Sequence, residues 1–234
     1  MSESFGRQTR TGAATVDRNL GTILGVATGL IALNILAMLA LSYVPAVVGL
    51  GSLLFGNIFV GMATFAISVG GGSWVANKGV QRGSMVVAGA GVTLVQAGYG
   101  LFGAVVLGTA ASALRVPAVG ISIVVTAVLT AVVAAVVFRS DRSFQSWQNY
   151  SFYLFIAGIG TAVVGALAFT PLLVVASLLF FAGFVTSLTY EIWAVKANRY
   201  ASSLRNALGI YVAVMGVFVN VLVWVLRILE LLDL

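Results

Sequence analysis

The stretch LGTILGVATGLIALNILAMLALSY, residues 20–43, decides the fold class. It runs without a charged side chain, and its one strongly polar residue is Asn34. A helix rising 1.5 Å per residue needs about 20 residues to cross roughly 30 Å of hydrocarbon. Inside a bilayer every backbone N–H and C=O must be paired within its own segment, so such a run reads as a transmembrane helix. Six further runs repeat the pattern, at Val47–Val69, Ser84–Thr109, Pro117–Phe138, Phe152–Phe169, Leu172–Tyr190 and Ala207–Leu229. The expected fold is an all-α membrane protein of seven transmembrane helices over residues 20–234, preceded by a polar tail over 1–19.

The composition agrees. The 234 residues are 61% hydrophobic and 8% charged, and the mean hydropathy is +1.11. A soluble domain carries about 25% charged residues, so the solvent for most of this surface is lipid. There is no cysteine and no histidine, which removes disulfides, thiolate chemistry and His-ligated metals or haem. The tail to Asn19 is polar, with no short apolar core ahead of a cleavage site, and it reads as retained rather than as a secretory signal.

The punctuation fits the spans. Pro45 is expected to separate the first two, and Gly70-Gly71-Gly72 to end the second. Pro117 is expected to open the fourth, where a missing N–H is tolerated. Thr170-Pro171 makes the turn between the fifth and sixth.

Ten of the twelve Lys and Arg residues lie on one side of these spans. The tail has Arg7, Arg10 and Arg18. The 2–3 loop has Lys78 and Arg82, the 4–5 loop Arg139 and Arg142, and the 6–7 loop Lys196, Arg199 and Arg205. Only Arg115 and Arg227 fall on the other side. Cytoplasmic loops are enriched in Lys and Arg, so the N-terminus is cytoplasmic and the C-terminus outside. That answer requires an odd number of spans. The net charge of +6 is thereby an orientation signal, and nucleic acid is not an expected partner. The expected surroundings are a lipid bilayer, with the cell membrane as location and a monomer as the expected state.

Function must come from polar groups among the helices. No charge sits at a midplane. Asn34, Asn57, Gln96, Thr130, Thr161 and Asn220 are the deep polar groups, expected chiefly as hydrogen-bond glue between helices. The glycines of span 3, and Gly25 with Gly29 in span 1, are expected at close helix contacts. Glu191 stands apart from the other acids, after Tyr190 at the cytoplasmic end of span 6. It reads either as a solvated or ion-paired boundary residue, with Lys78 or Arg82 as partner, or as a gate carboxylate that holds a loop base or a cation.

Other chemistries fall away. No nucleophile–base pair exists, so an enzyme is not expected, and no cofactor is expected. No phosphate-cradling loop is present. Lys78 and Lys196 both lie in expected loops, which argues against a retinal protein. A solute transporter lacks a midplane charge and an inverted repeat with broken helices.

Three motifs bear a family likeness. Arg139-Ser140-Asp141-Arg142-Ser143-Phe144 precedes span 5. Tyr190-Glu191 is followed by Val195-Lys196 at the end of span 6. Val219-Asn220 stands before Val225-Leu226-Arg227-Ile228-Leu229 in span 7. In this order they resemble the transmembrane BAX inhibitor motif family, especially its prokaryotic seven-helix members. The resemblance implies six helices around a central seventh and a pH-sensitive leak of calcium ions in transit across the membrane. It also implies two acidic residues that share a proton at the cytoplasmic gate. Glu191 matches the first, as Glu rather than Asp. The second is missing: alignment on Asn220 puts Val217 there, and alignment on Tyr211 puts Ala213 there. Two carboxylates in contact cannot both be ionised, and that coupling creates the pH sensor. One carboxylate alone lacks it. Calcium prefers six to eight oxygen ligands, so a site with one glutamate could pass the ion without holding it tightly. Two readings follow: a passive cation leak gated near Glu191, Tyr190 and Asn220, or a non-conducting membrane scaffold that regulates partner proteins.

Overall fold

Helix α8, Ser203–Leu231, is the axis of the molecule. Two-thirds of its apolar window, 67%, is buried within the protein, against 17–44% for every other span. A helix apolar on all sides and buried on most of them must be surrounded. The computed structural model describes residues 20–232. The polar tail, with Arg7, Arg10 and Arg18, lies outside the described residues, as does Asp233.

Among the described residues there are eight helices and no strand. Seven are long and apolar enough to cross a membrane: α1 (Leu20–Leu41), α3 (Ile58–Gln81), α4 (Met85–Thr109), α5 (Ser112–Arg139), α6 (Trp147–Leu167), α7 (Leu172–Lys196) and α8. The eighth, α2 (Pro45–Phe55), is short and apolar. Six spans close a ring around α8: α1 touches α4, α4 touches α3, α3 touches α6, α6 touches α7, α7 touches α5, and α5 touches α1. The arrangement of six helices around a central seventh is therefore present. The seventh packs directly on α1, α3, α4, α5 and α7, while α6 lies mainly on α7.

Two faces of α8 carry the core. Tyr211, Met215, Phe218 and Leu222 recur at helical spacing and meet Met38, Tyr99 and Leu107. Ala213, Val214, Val217 and Val221 meet Val137, Phe184 and Leu188. With lipid tails as apolar as leucine, packing and close backbone approach hold such helices together, rather than escape from water.

Several boundaries depart from the sequence reading. The expected second span, Val47–Val69, is two helices. Pro45 occupies the first turn of α2, which ends at Phe55. The chain restarts at Asn57, whose Oδ1 accepts from the N–H groups of Phe59 and Val60. Asn57 is thus a helix cap, not a deep polar group. Gly70-Gly71-Gly72 does not end the span. Gly70 and Gly71 close a π-helical stretch, Ala66–Gly71, and Gly72 opens the α-helical remainder of α3. The helix continues because its small residues fit its neighbour: Gly72, Ala76 and Gly79 lie against Gly91, Val95 and Ala88 of α4. The true end is the positive-φ Gly83, with Ser84 capping α4. Lys78 therefore sits in the last turn of α3, and Arg82 at its C-cap.

Helix α5 begins at Ser112, so Pro117 lies inside it. Helix α7 runs to Lys196 rather than Tyr190, which places Glu191 within a helix and Lys196 at its last residue, not in a loop. The Thr170-Pro171 turn is as read, with Pro171 at the N-cap of α7. Glycines 91, 98, 103 and 108 of α4 do face close neighbours, but Gly25 and Gly29 of α1 face nothing within 4 Å. Their spacing marks no helix contact.

Candidate functional site: a buried ion pair over a cavity

The turn between α7 and α8 builds the site. Asn198, at φ 60°, takes the left-handed conformation that asparagine tolerates, and the Arg199 N–H closes back on Ala194 O at 2.9 Å. The chain then reverses within a few residues. Ser202 Oγ accepts from the Arg205 N–H and starts α8. The reversal brings the first turn of α8 against the last turns of α7, so that Arg205 meets Glu191.

The contact has two prongs. Arg205 Nη1 donates to Glu191 Oε2 at 2.6 Å, and Nη2 donates to Oε1 at 3.2 Å. Both side chains are largely buried. A cation in the first turn of a helix opposes the helix dipole, so Arg205 depends on Glu191 for compensation. The guanidinium also stacks on Tyr200, 3.8 Å from the ring centroid. Tyr200 is fixed in turn: its hydroxyl shares a 2.7 Å hydrogen bond with Tyr190, and its carbonyl accepts from Asn206 Nδ2 at 3.2 Å. Gly209, one turn beyond Arg205, leaves the space that the pair fills. A Cβ there would collide with Glu191 Oε2 and the guanidinium.

Beneath the pair lies a cavity of about 90 Å³. Ser73 and Asn77 of α3 line one wall, Val95 of α4 another, and Ser187, Glu191, Arg205 and Tyr211 the side formed by α7 and α8. Deeper in, Tyr211 anchors a second polar group. Asn34 Nδ2 lies 3.0 Å from the Tyr211 hydroxyl and 2.6 Å from Gln96 Oε1, and Gln96 Nε2 donates to Leu30 O at 3.2 Å. Tyr99 donates to Val212 O at 2.8 Å. Helices α1, α4 and α8 are thus cross-linked by amides and phenols, the role read for Asn34 and Gln96 from the sequence. On the same face of α8, Met215, Phe218 and Leu222 follow in an apolar cluster.

The proposed gate residues divide accordingly. Glu191 and Tyr190 belong to the site. Lys78 and Arg82 are exposed and do not pair with Glu191; among the described residues its partner is Arg205. Asn220 donates to its own helix, to Gly216 O at 2.8 Å, and does not reach Glu191. Val217 and Ala213 are buried in the apolar cluster with Leu188 and Val137. Among the described residues no group of three His, Cys, Asp or Glu could hold a metal. Sequence reading missed Arg205, Tyr200 and Gly209. The expected spans ended at Tyr190 and restarted at Ala207, which left Arg205 in a loop; the contact arises because α7 runs on to Lys196 and α8 starts at Ser203.

Two of the three motifs touch. Lys196 Nζ donates to the main-chain oxygens of Val137, Phe138 and Ser140 at 3.0, 3.2 and 2.6 Å. Phe144 is buried edge-on to Trp147, 5.1 Å between centroids. No protein-family model, curated protein or solved structure matches this chain.

Proposed function

We propose that this multi-pass membrane protein is a passive cation leak of the BAX inhibitor motif type, with calcium as its ion, held closed by the Glu191–Arg205 pair. The pair itself carries the reading. A carboxylate buried with a single cationic partner, over a cavity at the face that the basic residues mark as cytoplasmic, can exchange that partner for a mobile cation. Here the guanidinium occupies the position that a permeant ion would take, and Glu191 faces a base rather than a second acid. Opening requires Arg205 to leave Glu191, so voltage, partner binding or a loop movement at Tyr200 would control it rather than proton sharing between two acids.

Calcium flux into dye-loaded proteoliposomes tests this. Wild-type protein should leak slowly, Arg205→Gln faster, and Glu191→Gln with Arg205 retained no faster than wild type. Flux from all three equal to that of protein-free vesicles would remove the leak reading.

The second reading, a non-conducting scaffold for partner proteins, draws support from one feature. Met215, Phe218 and Leu222 of α8 share one buried apolar cluster with Met38 and Leu107.

A further inference from the structure

We infer that the cavity beneath Glu191 and Arg205 is a water site, a hydrated vestibule between α3, α7 and α8 whose inner end is the Tyr211–Asn34–Gln96 bridge. Ser73 Oγ and Asn77 Oδ1 are both buried and have no hydrogen-bond partner among the described residues. They lie four residues apart on α3, hence on one face, and both line the cavity that Glu191, Arg205 and Ser187 line from the other side. A buried polar group left unpaired costs about 1–3 kcal/mol. Two such groups on residues that line one cavity are a cost that water removes and an apolar void does not.

The space suffices. A cavity admits a water once about 10–15 Å³ is open to its centre, and this one measures about 90 Å³. Water there finds donors and acceptors on three helices, which meets the two to four polar partners that a buried water requires. The chain of polar groups does not stop at the cavity wall. Tyr211 lines the cavity and meets Asn34 through its hydroxyl, and Asn34 Oδ1 is a third buried oxygen without a partner among the described residues. Past that point the α8 face becomes the apolar cluster of Met215, Phe218 and Leu222. The hydrated region therefore ends at Asn34. Helix α3 makes no ion pair with Glu191 among the described residues, so these waters are its link to the pair. The vestibule exists whether or not ions cross, so its test is independent of flux.

The natural chain has no cysteine, which makes single-cysteine variants free of background. The cysteine thiolate attacks the sulfenyl sulfur of a methanethiosulfonate and expels methanesulfinate, and burial in apolar surroundings suppresses thiolate formation. In the full-length protein in proteoliposomes, Ser73→Cys and Asn77→Cys should react with a small uncharged methanethiosulfonate at least about tenfold faster than Met38→Cys or Leu107→Cys in the apolar cluster. Adding Arg205→Gln should accelerate the first two and leave the controls unchanged. Rates at Ser73 and Asn77 no greater than the controls would overturn the inference. A second measurement needs no reagent. Asn77→Leu should lower the melting temperature if water is held there. A rise, as expected from filling a dry void, would overturn it equally.

Discussion

Gly209 lies directly against the Glu191 carboxylate, one helical turn from the arginine that binds it. Alanine normally stabilises a helix interior by about 0.5–1 kcal/mol relative to glycine. Here the added methyl would occupy the position of Oε2 and Nη1, so the sign reverses. Breaking a buried pair costs about 3–5 kcal/mol when one charge loses its partner. Gly209→Ala should therefore lower the melting temperature in detergent by several degrees, while Gly29→Ala on α1, where nothing lies within 4 Å, should leave it unchanged or raise it. Equal effects at the two positions would mean that the pair does not depend on this space.

Partner choice gives a second prediction. Glu191→Gln and Arg205→Gln should each destabilise, and the double variant should lose less than the sum, because neither leaves an unpaired buried charge. The same cycle between Glu191 and Lys78, or Glu191 and Arg82, should be additive, since neither base reaches the carboxylate. Coupling with Lys78 that exceeds coupling with Arg205 would reverse the assignment. Thermal unfolding of the four variants of each cycle decides it.

How much of this was open to sequence reading follows from what each signal measures. Hydropathy finds where lipid is the solvent, so seven spans and their order were legible; the central place of the seventh came only as an implication of the family resemblance. It does not find where helices end, because helix ends depend on capping. Asn57 looked like a residue in the middle of a span, although as an N-cap it starts one. Gly70-Gly71-Gly72 looked like a stop, although small residues facing Gly91 and Val95 let α3 pack closely and continue. Arg205 was legible only as a count toward orientation. Its role depends on a turn set by Asn198 and Ser202, and the contact with Glu191 forms across that turn. Val217 and Ala213, at the positions expected for a second acid, lie in an apolar cluster, and the partner of Glu191 is instead a base at the start of α8.

Arg115 runs against the positive-inside pattern, and the structure shows why it is there. Its guanidinium donates to Ser42 O at 2.7 Å, Gly108 O at 3.2 Å and Ala110 O at 3.4 Å, and sits 4.9 Å from the Tyr43 ring centroid. These are the carbonyl ends of α1 and α4, where a cation is favoured by the dipole and fills acceptors that the helix leaves open. Lys196 does the same for α5 at the other face. Hydrogen bonds to a charged group are worth about 1.5–3 kcal/mol each in a protein. Arg115→Gln and Lys196→Gln should each lower the melting temperature without inverting the protein. Protease protection of a C-terminal tag in vesicles checks the second part: a changed topology in Arg115→Gln would make it an orientation signal after all.

The deep bridge gives the last prediction. Tyr211 and Gln96 share the Asn34 amide, so α8, α4 and α1 meet at one side chain. Tyr211→Phe removes only the hydroxyl. Interhelical hydrogen bonds within membranes average about 0.6 kcal/mol and reach about 1.7, so this variant should lose little stability. Asn34→Leu removes the amide from both partners and leaves Gln96 Oε1 and the Tyr211 hydroxyl without it, while Gln96 Nε2 keeps Leu30 O; an orphaned buried polar group costs about 1–3 kcal/mol. Its loss should exceed that of Tyr211→Phe by at least a factor of about two, on the ratio of those two costs. Unfolding in mixed detergent with increasing denaturing detergent measures both on one scale. If Tyr211→Phe proves the more damaging, the hydroxyl supports something beyond Asn34, and the water-lined face of Tyr211 becomes the first place to look.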